Sequence, residues 1–166
     1  VHDPHGDLGA GRILSIDKPL KWTSFDVVKR MKYRLLQDIL SKTEDAQEKK
    51  AIRKKLKVGH AGTLDPLATG LLIVCTGKQT KNIERYQAQE KEYTGTFYIG
   101  ATTPCFDLEK EIDATYPTDH ITDEMIRETT KQFMGVIEQV PPLFSAIKID
   151  GKRAYDIARA GKTAEV

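Results

Sequence analysis

The sequence predicts an α+β fold, on two observations. Segments with helical spacing of apolar residues and short strand-like runs are both present, and they alternate without a regular strand-helix-strand rhythm. At 166 residues and 39% hydrophobic content, the chain is about one domain long, with enough apolar material for a real core but not an oily one. No internal repeat or low-complexity tract is visible.

Taken in order, "GRILSIDKP" gathers Ile13, Leu14 and Ile16 into a short apolar run closed by Pro19, which predicts a buried strand running into a turn with all three residues in the core. "TSFDVVKRMKYRLLQDIL" offers Thr23 or Ser24 as an N-cap. Val27, Val28, Met31, Leu35 and Ile39 follow at helical spacing, so a helix with a basic outer face is expected. Residues 41–56, "SKTEDAQEKKAIRKKL", are almost wholly polar and charged, and predict a mobile surface loop or an exposed helical extension. "LLIVC" reads as a buried strand and "KQTKNIERYQ" as a short helix.

Further on, "KEYTGTFYIGATT" alternates well enough for a strand with Tyr93, Phe97 and Ile99 on one face. "TDEMIRETTKQFMG" carries the clearest helix signals: Thr122 as N-cap, acidic residues in the first turn, Met125, Ile126 and Phe133 on one face, and Gly135 as a stop. "VPPLFSAIKIDGKRAYDIARAG" begins with a rigid Pro-Pro, passes through a strand to an Asp150-Gly151 turn, and ends in a short helix expected to carry Arg153 and Arg159.

Composition excludes several classes. The longest apolar run, Leu71 to Cys75, is far short of a membrane span, and the first residues show no signal-peptide pattern, so a soluble, cytoplasmic protein is expected. Cys75 and Cys105 fit buried thiols better than a disulfide framework. His2, His5, His60 and His120 have no paired spacing, and no metal site is expected. Charge is separated along the chain. From Lys29 to Lys57 there are 11 Lys/Arg against 4 Asp/Glu, and from Glu84 to Glu128 there are 4 against 11. Such separation suggests one face for a polyanion and another turned away from it, although two ordinary solvated faces would give the same count.

The stretch "KVGHAGTLDPLATGLL", residues 57–72, sets one aspartate, Asp65, among three glycines and a proline, with His60 five positions upstream. It is not a phosphate loop, because Gly70 and Gly77 are separated by six residues and Lys78 is followed by Gln79. The spacing of Gly59, Gly62 and Gly70 also fails the dinucleotide fingerprint. On its own, an Asp-Pro pair is most simply a turn or helix cap. The glycines, however, allow close backbone approach from outside the loop, and a carboxylate so placed suits a nucleophile or general base.

"GHAGTLDPLATGLLIVCTGKQTK" resembles the catalytic motif of the TruB family of tRNA pseudouridine synthases, whose aspartate matches Asp65. "ILSIDKPLKWTSFDVVKR" is similar to the family's first motif, and "QVPPLFSAIKIDGKRAYDIARAG" to its segment after the acidic helix, so the resemblance runs from Arg12 to Gly161. "DPLATG" stands where guide-RNA-dependent relatives usually carry a DPKVTG-like sequence, which favours the bacterial stand-alone branch. The 41–56 segment is longer than the family's usual connection.

The resemblance implies a pseudouridine synthase fold, with a mixed, mainly antiparallel sheet flanked by helices and incomplete at its C-terminal end. Residues 1–166 would then be one truncated catalytic domain, lacking the later strand whose arginine pairs with the catalytic aspartate and lacking any C-terminal RNA-binding domain. The implied activity is conversion of one uridine in the T-loop arm of tRNA to pseudouridine, with no cofactor, metal, membrane or obligate protein partner. Asp65 would be the catalytic carboxylate, acting on the sugar C1′, on the base, or as a base toward a sugar proton. His60 would support the everted nucleotide, and Tyr93 would stack on the target base. Lys18 and Pro19 are expected to shape the loop beneath Asp65 and not to act chemically. Two rival readings are a tRNA-binding or tRNA-folding module without chemistry, for which Asp65 is unnecessary, and a guide-dependent synthase acting on ribosomal RNA.

Overall fold

A computed structural model describes residues 11–138 together with 148–149 and 152–153. The chain divides into two compact units, the first ending at Tyr93 and the second beginning at Thr94. Both combine helices with small antiparallel sheets, which is the expected α+β class.

The first unit is built on a three-stranded antiparallel sheet in the order β1 (Ile13–Lys18), β3 (Gly70–Thr76), β2 (Val58–Ala61). The β1–β3 ladder runs from Ile13 opposite Cys75 to Lys18 opposite Gly70, and His60 lies opposite Val74 on the other side of β3. Helix α1 (Ser24–Ser41) starts at Thr23. The Thr23 hydroxyl accepts the Asp26 N–H while Asp26 accepts the Thr23 N–H, a reciprocal cap that satisfies two otherwise orphaned donors. The Thr23 hydroxyl also donates to the Asp26 carboxylate at 2.5 Å, and that bond, followed by the one from the Thr23 N–H, is the main reason that the Asp26 carboxyl is held below its ordinary range.

Helical spacing turns Val27, Val28 and Met31 to one side of α1. Val27 packs with Leu72 and Val74 as the core, bordered by Leu14, Ile16, Met31, Val58 and Leu64. Each fully buried aliphatic side chain there contributes about 1.5–3 kcal/mol.

The charged 41–56 segment resolves into a helix, α2 (Ala46–Lys55), capped by Asp45 and followed by the buried Leu56. Arg53, Lys54 and Lys55 occupy its last turn, where the helix dipole favours cations. After β3 a 3-10 turn, Gly77–Asn82, leads into α3 (Ile83–Gln87), as the "KQTKNIERYQ" pattern predicts.

Several expectations need correction. Ile13 is exposed, because β1 alternates and only Leu14, Ile16 and Lys18 face inward. Leu71 is exposed for the same reason at the start of β3. Residues 92–99 do not form the predicted strand. Regular structure resumes only at β4 (Ala101–Thr102), and Tyr93, Phe97 and Ile99 are exposed. Alternation is a local property, whereas a strand also needs a hydrogen-bonded neighbour, and none lies alongside this segment among the described residues.

In the second unit, β4 pairs with β5 (Ala114–Thr115), reinforced by a Thr102 hydroxyl bond to Asp113 at 2.7 Å. The predicted Thr122 cap is present: its hydroxyl accepts the Met125 N–H at the start of α4 (Asp123–Thr130). A 3-10 turn over Lys131–Phe133 follows, then Gly135 at φ +82°. β6 (Lys148–Ile149) and β7 (Lys152–Arg153) pair antiparallel with two residues between them, the register expected of a hairpin at Asp150-Gly151. Arg153 therefore lies in a strand, not in the predicted helix. The Pro-Pro, Arg159, His2 and His5 lie outside the described residues.

Cys75 and Cys105 are free buried thiols, as composition suggested, and burial pushes the Cys75 thiol up from its usual range. No helix among the described residues is long and apolar enough to cross a membrane, and they contain no cluster of three or more His, Cys, Asp or Glu side chains suited to a metal.

Candidate active site

Asp65 lies in the loop between β2 and β3, residues 62–69, and both of its neighbours are fastened to the segment around the start of α1. On one side, the buried Ser24 hydroxyl accepts the Leu64 N–H at 2.9 Å and donates to the Leu64 carbonyl at 3.2 Å. On the other, the Pro66 carbonyl accepts the Lys21 N–H at 2.7 Å. The Asp65 carbonyl accepts the Ala68 N–H at 3.0 Å, closing a turn with Pro66 at its second position, where the fixed proline φ suits it. The turn reading of Asp-Pro is thus correct for the backbone. The side chain is left exposed, and among the described residues no hydrogen bond reaches its carboxylate.

Beneath this turn lies Lys18, the last residue of β1 and fully buried. Its Nζ donates to the carbonyls of Trp22 at 2.6 Å, Pro19 at 3.1 Å and Pro66 at 3.4 Å. Burial lowers the Lys18 ammonium below its ordinary range, and the negative charge of Asp65 partly offsets that fall. Lys18 is thus the buried charge that feels Asp65 through the turn. Lys18 and Pro19 do shape the loop, as expected; the electrostatic tie to Asp65 is new.

The turn that carries Lys18 into α1 is itself under strain. The Trp22 N–H donates to the Pro19 carbonyl at 3.3 Å, and Lys21 sits at φ +66°, the third position of a tight turn that usually takes glycine. Such a conformation costs of order 1 kcal/mol or more for a side-chain-bearing residue. The Lys21 N–H bond to Pro66 holds it in place.

The loop glycines act differently from the expectation that all three admit an outside group. A Cβ on Gly59 would meet the side chain of Ile83 at 2.8 Å, so that glycine admits α3. Gly62 and Gly70, at φ +95° and +113°, have open space where a Cβ would be and serve the path of the chain into and out of the loop.

His60 is on β2 and not in the loop, and its Nδ1 lies 2.5 Å from the Gly62 carbonyl. A carbonyl can only accept, so Nδ1 carries the proton, and in the neutral ring Nε2 is left as an acceptor. His60 and Asp65 therefore belong to one continuous piece of fixed backbone. Tyr93, 69% exposed, lies in the irregular segment before β4, and no hydrogen bond or ring contact joins it to His60 or Asp65 among the described residues. Sequence reasoning missed Ser24 as the clamp on Leu64. The available signal was a small hydroxyl next to the capping threonine, at a helix position one turn ahead of the buried Val27 and Val28.

A fold of this class, with an aspartate displayed on a pinned Gly/Pro loop beside a buried lysine, agrees with the comparison to known families. A family model described as TruB family pseudouridylate synthase (N terminal domain) matches residues 49–166, and the chain belongs to that family. Among curated relatives, a tRNA pseudouridine synthase B of Flavobacterium johnsoniae is 59% identical over 94% of this chain and 63% of its own length. The protein of the same name from Phocaeicola vulgatus is 58% identical over 94% of this chain and 61% of its own. That of Chloroherpeton thalassium is 46% identical over 92% and 57%. The chain thus spans about three fifths of the length of the curated relatives it matches.

Proposed function

We propose that the protein to which this chain belongs is a tRNA pseudouridine synthase acting on a uridine of the T-loop arm in the cytoplasm. Asp65 is its catalytic carboxylate, and His60 and Tyr93 are its substrate-binding residues. The observation that carries this reading is the mounting of Asp65 in a member of the TruB family: an exposed carboxylate between two anchored residues, above a buried ammonium. The names of the relatives, tRNA pseudouridine synthase B, supply the substrate class.

The reaction is an isomerisation. The bond from uracil N1 to the sugar C1′ breaks, the ring turns while held, and C5 bonds to C1′. N1 gains a proton and C5 loses one, so no cofactor or metal enters the balance. Fixing Leu64 and Pro66 holds the carboxylate ready before substrate arrives, which lowers the cost of aligning it with C1′, the base or a sugar proton. His60, with Nδ1 committed to Gly62, offers Nε2 to a nucleotide, and the exposed Tyr93 ring offers a stacking face. Within this reading, residues 1–166 are the N-terminal portion of one catalytic domain.

Asp65→Asn in the intact parent protein tests the assignment, because it keeps size and hydrogen bonding and removes the charge. It should abolish pseudouridine formation in a T-arm stem-loop, read by mass spectrometry, while RNA affinity stays within about tenfold, roughly 1.4 kcal/mol. Turnover near wild type would remove Asp65 from the chemistry.

A further inference from the structure

An open cleft of about 530 Å³ lies at the start of α1, lined by Lys21, Trp22, Asp26, Lys29, Arg30 and Tyr33. We propose that it binds single-stranded RNA next to the nucleotide held at Asp65, with phosphates against Lys21, Lys29 and Arg30 and a base face against Trp22 or Tyr33. This rests on the RNA-modifying function proposed above and extends it to a surface outside the Asp65 loop.

Three observations carry it. The first is charge: three cations face one carboxylate, and that carboxylate, Asp26, is engaged by the Thr23 N–H and hydroxyl of the helix cap, so the lining presents a net positive surface suited to phosphate. The second is exposed aromatic area. Trp22 is 37% and Tyr33 55% exposed, and helical spacing sets Tyr33 on the same side of α1 as Asp26, Lys29 and Arg30. Flat rings interleaved with cations form the pattern that holds unpaired nucleotides. The third is continuity with the site. The Lys21 N–H is bonded to the Pro66 carbonyl, and the Trp22 carbonyl takes the Lys18 ammonium, so the cleft and the Asp65 turn share their anchors. RNA leaving Asp65 along this side meets the cleft without crossing a mobile joint.

The chain has a single tryptophan, so Trp22 emission reports on the cleft directly. In the intact parent protein, a T-arm stem-loop RNA should quench the part of the emission that Trp22→Phe removes, with an affinity that falls as salt rises. Lys29→Gln and Arg30→Gln should each weaken binding about three- to tenfold and flatten the log-log salt dependence by about one unit. Tyr33→Ala should weaken it at least about fivefold and Tyr33→Phe should restore it, because the phenyl face still stacks. A control at Arg53, Lys54 and Lys55, all changed to Gln, should lower affinity while leaving the quench at saturation intact.

The proposal is overturned if labelled RNA binds by anisotropy with Trp22 emission unchanged and the Lys29 and Arg30 variants binding as wild type. It is also overturned if polyglutamate quenches as well as RNA at equal charge, which would make the cleft an acidic-peptide site. The parent protein's pseudouridine assay with and without Asp65 does not depend on Trp22. RNA held in the cleft by a parent protein that makes no pseudouridine would refute the enzyme reading and not the cleft.

Discussion

Replacing Lys18 by methionine removes the ammonium under the Asp65 turn while keeping most of the side-chain volume. Of the three carbonyls that Lys18 serves, the Pro19 carbonyl retains the Trp22 N–H and the Pro66 carbonyl retains the Lys21 N–H. The Trp22 carbonyl loses its 2.6 Å bond, and no other described donor takes its place. Leaving a part-buried carbonyl without its donor costs about 1–3 kcal/mol. Relief of the desolvated charge offsets part of the remaining loss, so a net destabilisation near 2 kcal/mol is expected. For a domain of this size that lowers Tm by about 4–8 °C.

The variant also changes the pH dependence. In the unfolded chain Lys18 keeps its proton up to the ordinary value of 10.5, whereas the folded chain releases it earlier. Between those two values the unfolded state binds more protons, and the contribution of Lys18 to stability rises with pH. The gap between wild type and Lys18→Met should therefore widen in that alkaline window. Thermal melts followed by circular dichroism across the range check both parts. A Tm within about 1 °C of wild type, or a gap that narrows as pH rises, would refute the picture of a buried, desolvated lysine bracing the turn.

Ser24→Ala leaves both peptide groups of Leu64 without their clamp and should cost about 1–3 kcal/mol, seen as a lower urea midpoint with an unchanged slope. Tyr93→Phe should retain most turnover in the parent protein and Tyr93→Ala should lose it; equal inactivity of the two would assign the work to the hydroxyl instead of the ring face. Changing Arg53, Lys54 and Lys55 of α2 together to Gln should raise the dissociation constant for a T-arm RNA and reduce its salt slope, with turnover at saturating RNA unchanged. If neither affinity nor salt slope moves, α2 is only a solvated surface.

What was legible in the sequence was whatever depends on near neighbours. The Thr23 cap and its Asp26 partner are three residues apart, and so are Thr122 and Met125, so helix starts followed from a few letters. Apolar runs gave β1 and β3, but not that Ile13 and Leu71 would face outward, because that depends on which side of each strand the rest of the fold covers. Residues 41–56 stood open between loop and helix since charge alone does not choose, and the Asp45 cap decides it. The 92–99 segment failed in the opposite way: its alternation suits a strand, and no neighbour pairs with it among the described residues. For the candidate site, the resemblance singled out Asp65, His60 and Tyr93 as candidates, and the described residues show no contact that joins Tyr93 to the other two. The hold on Asp65 comes from Lys18, Lys21 and Ser24, more than 40 residues upstream; the resemblance implied the part of Lys18, whereas spacing in one sequence carries no sign of Lys21 or Ser24.

The long reach of those anchors has a kinetic consequence. Helices α1 and α2 and their caps are made of contacts within four residues and can form early, whereas the bonds from Ser24 to Leu64 and from Lys18 to Pro66 span 40 and 48 positions. The 62–69 loop cannot take its shape until the β1–β3 ladder has closed around everything between them. A refolding experiment should accordingly show helical ellipticity returning ahead of Trp22 emission, the turn beneath Asp65 being among the last parts of the unit to settle.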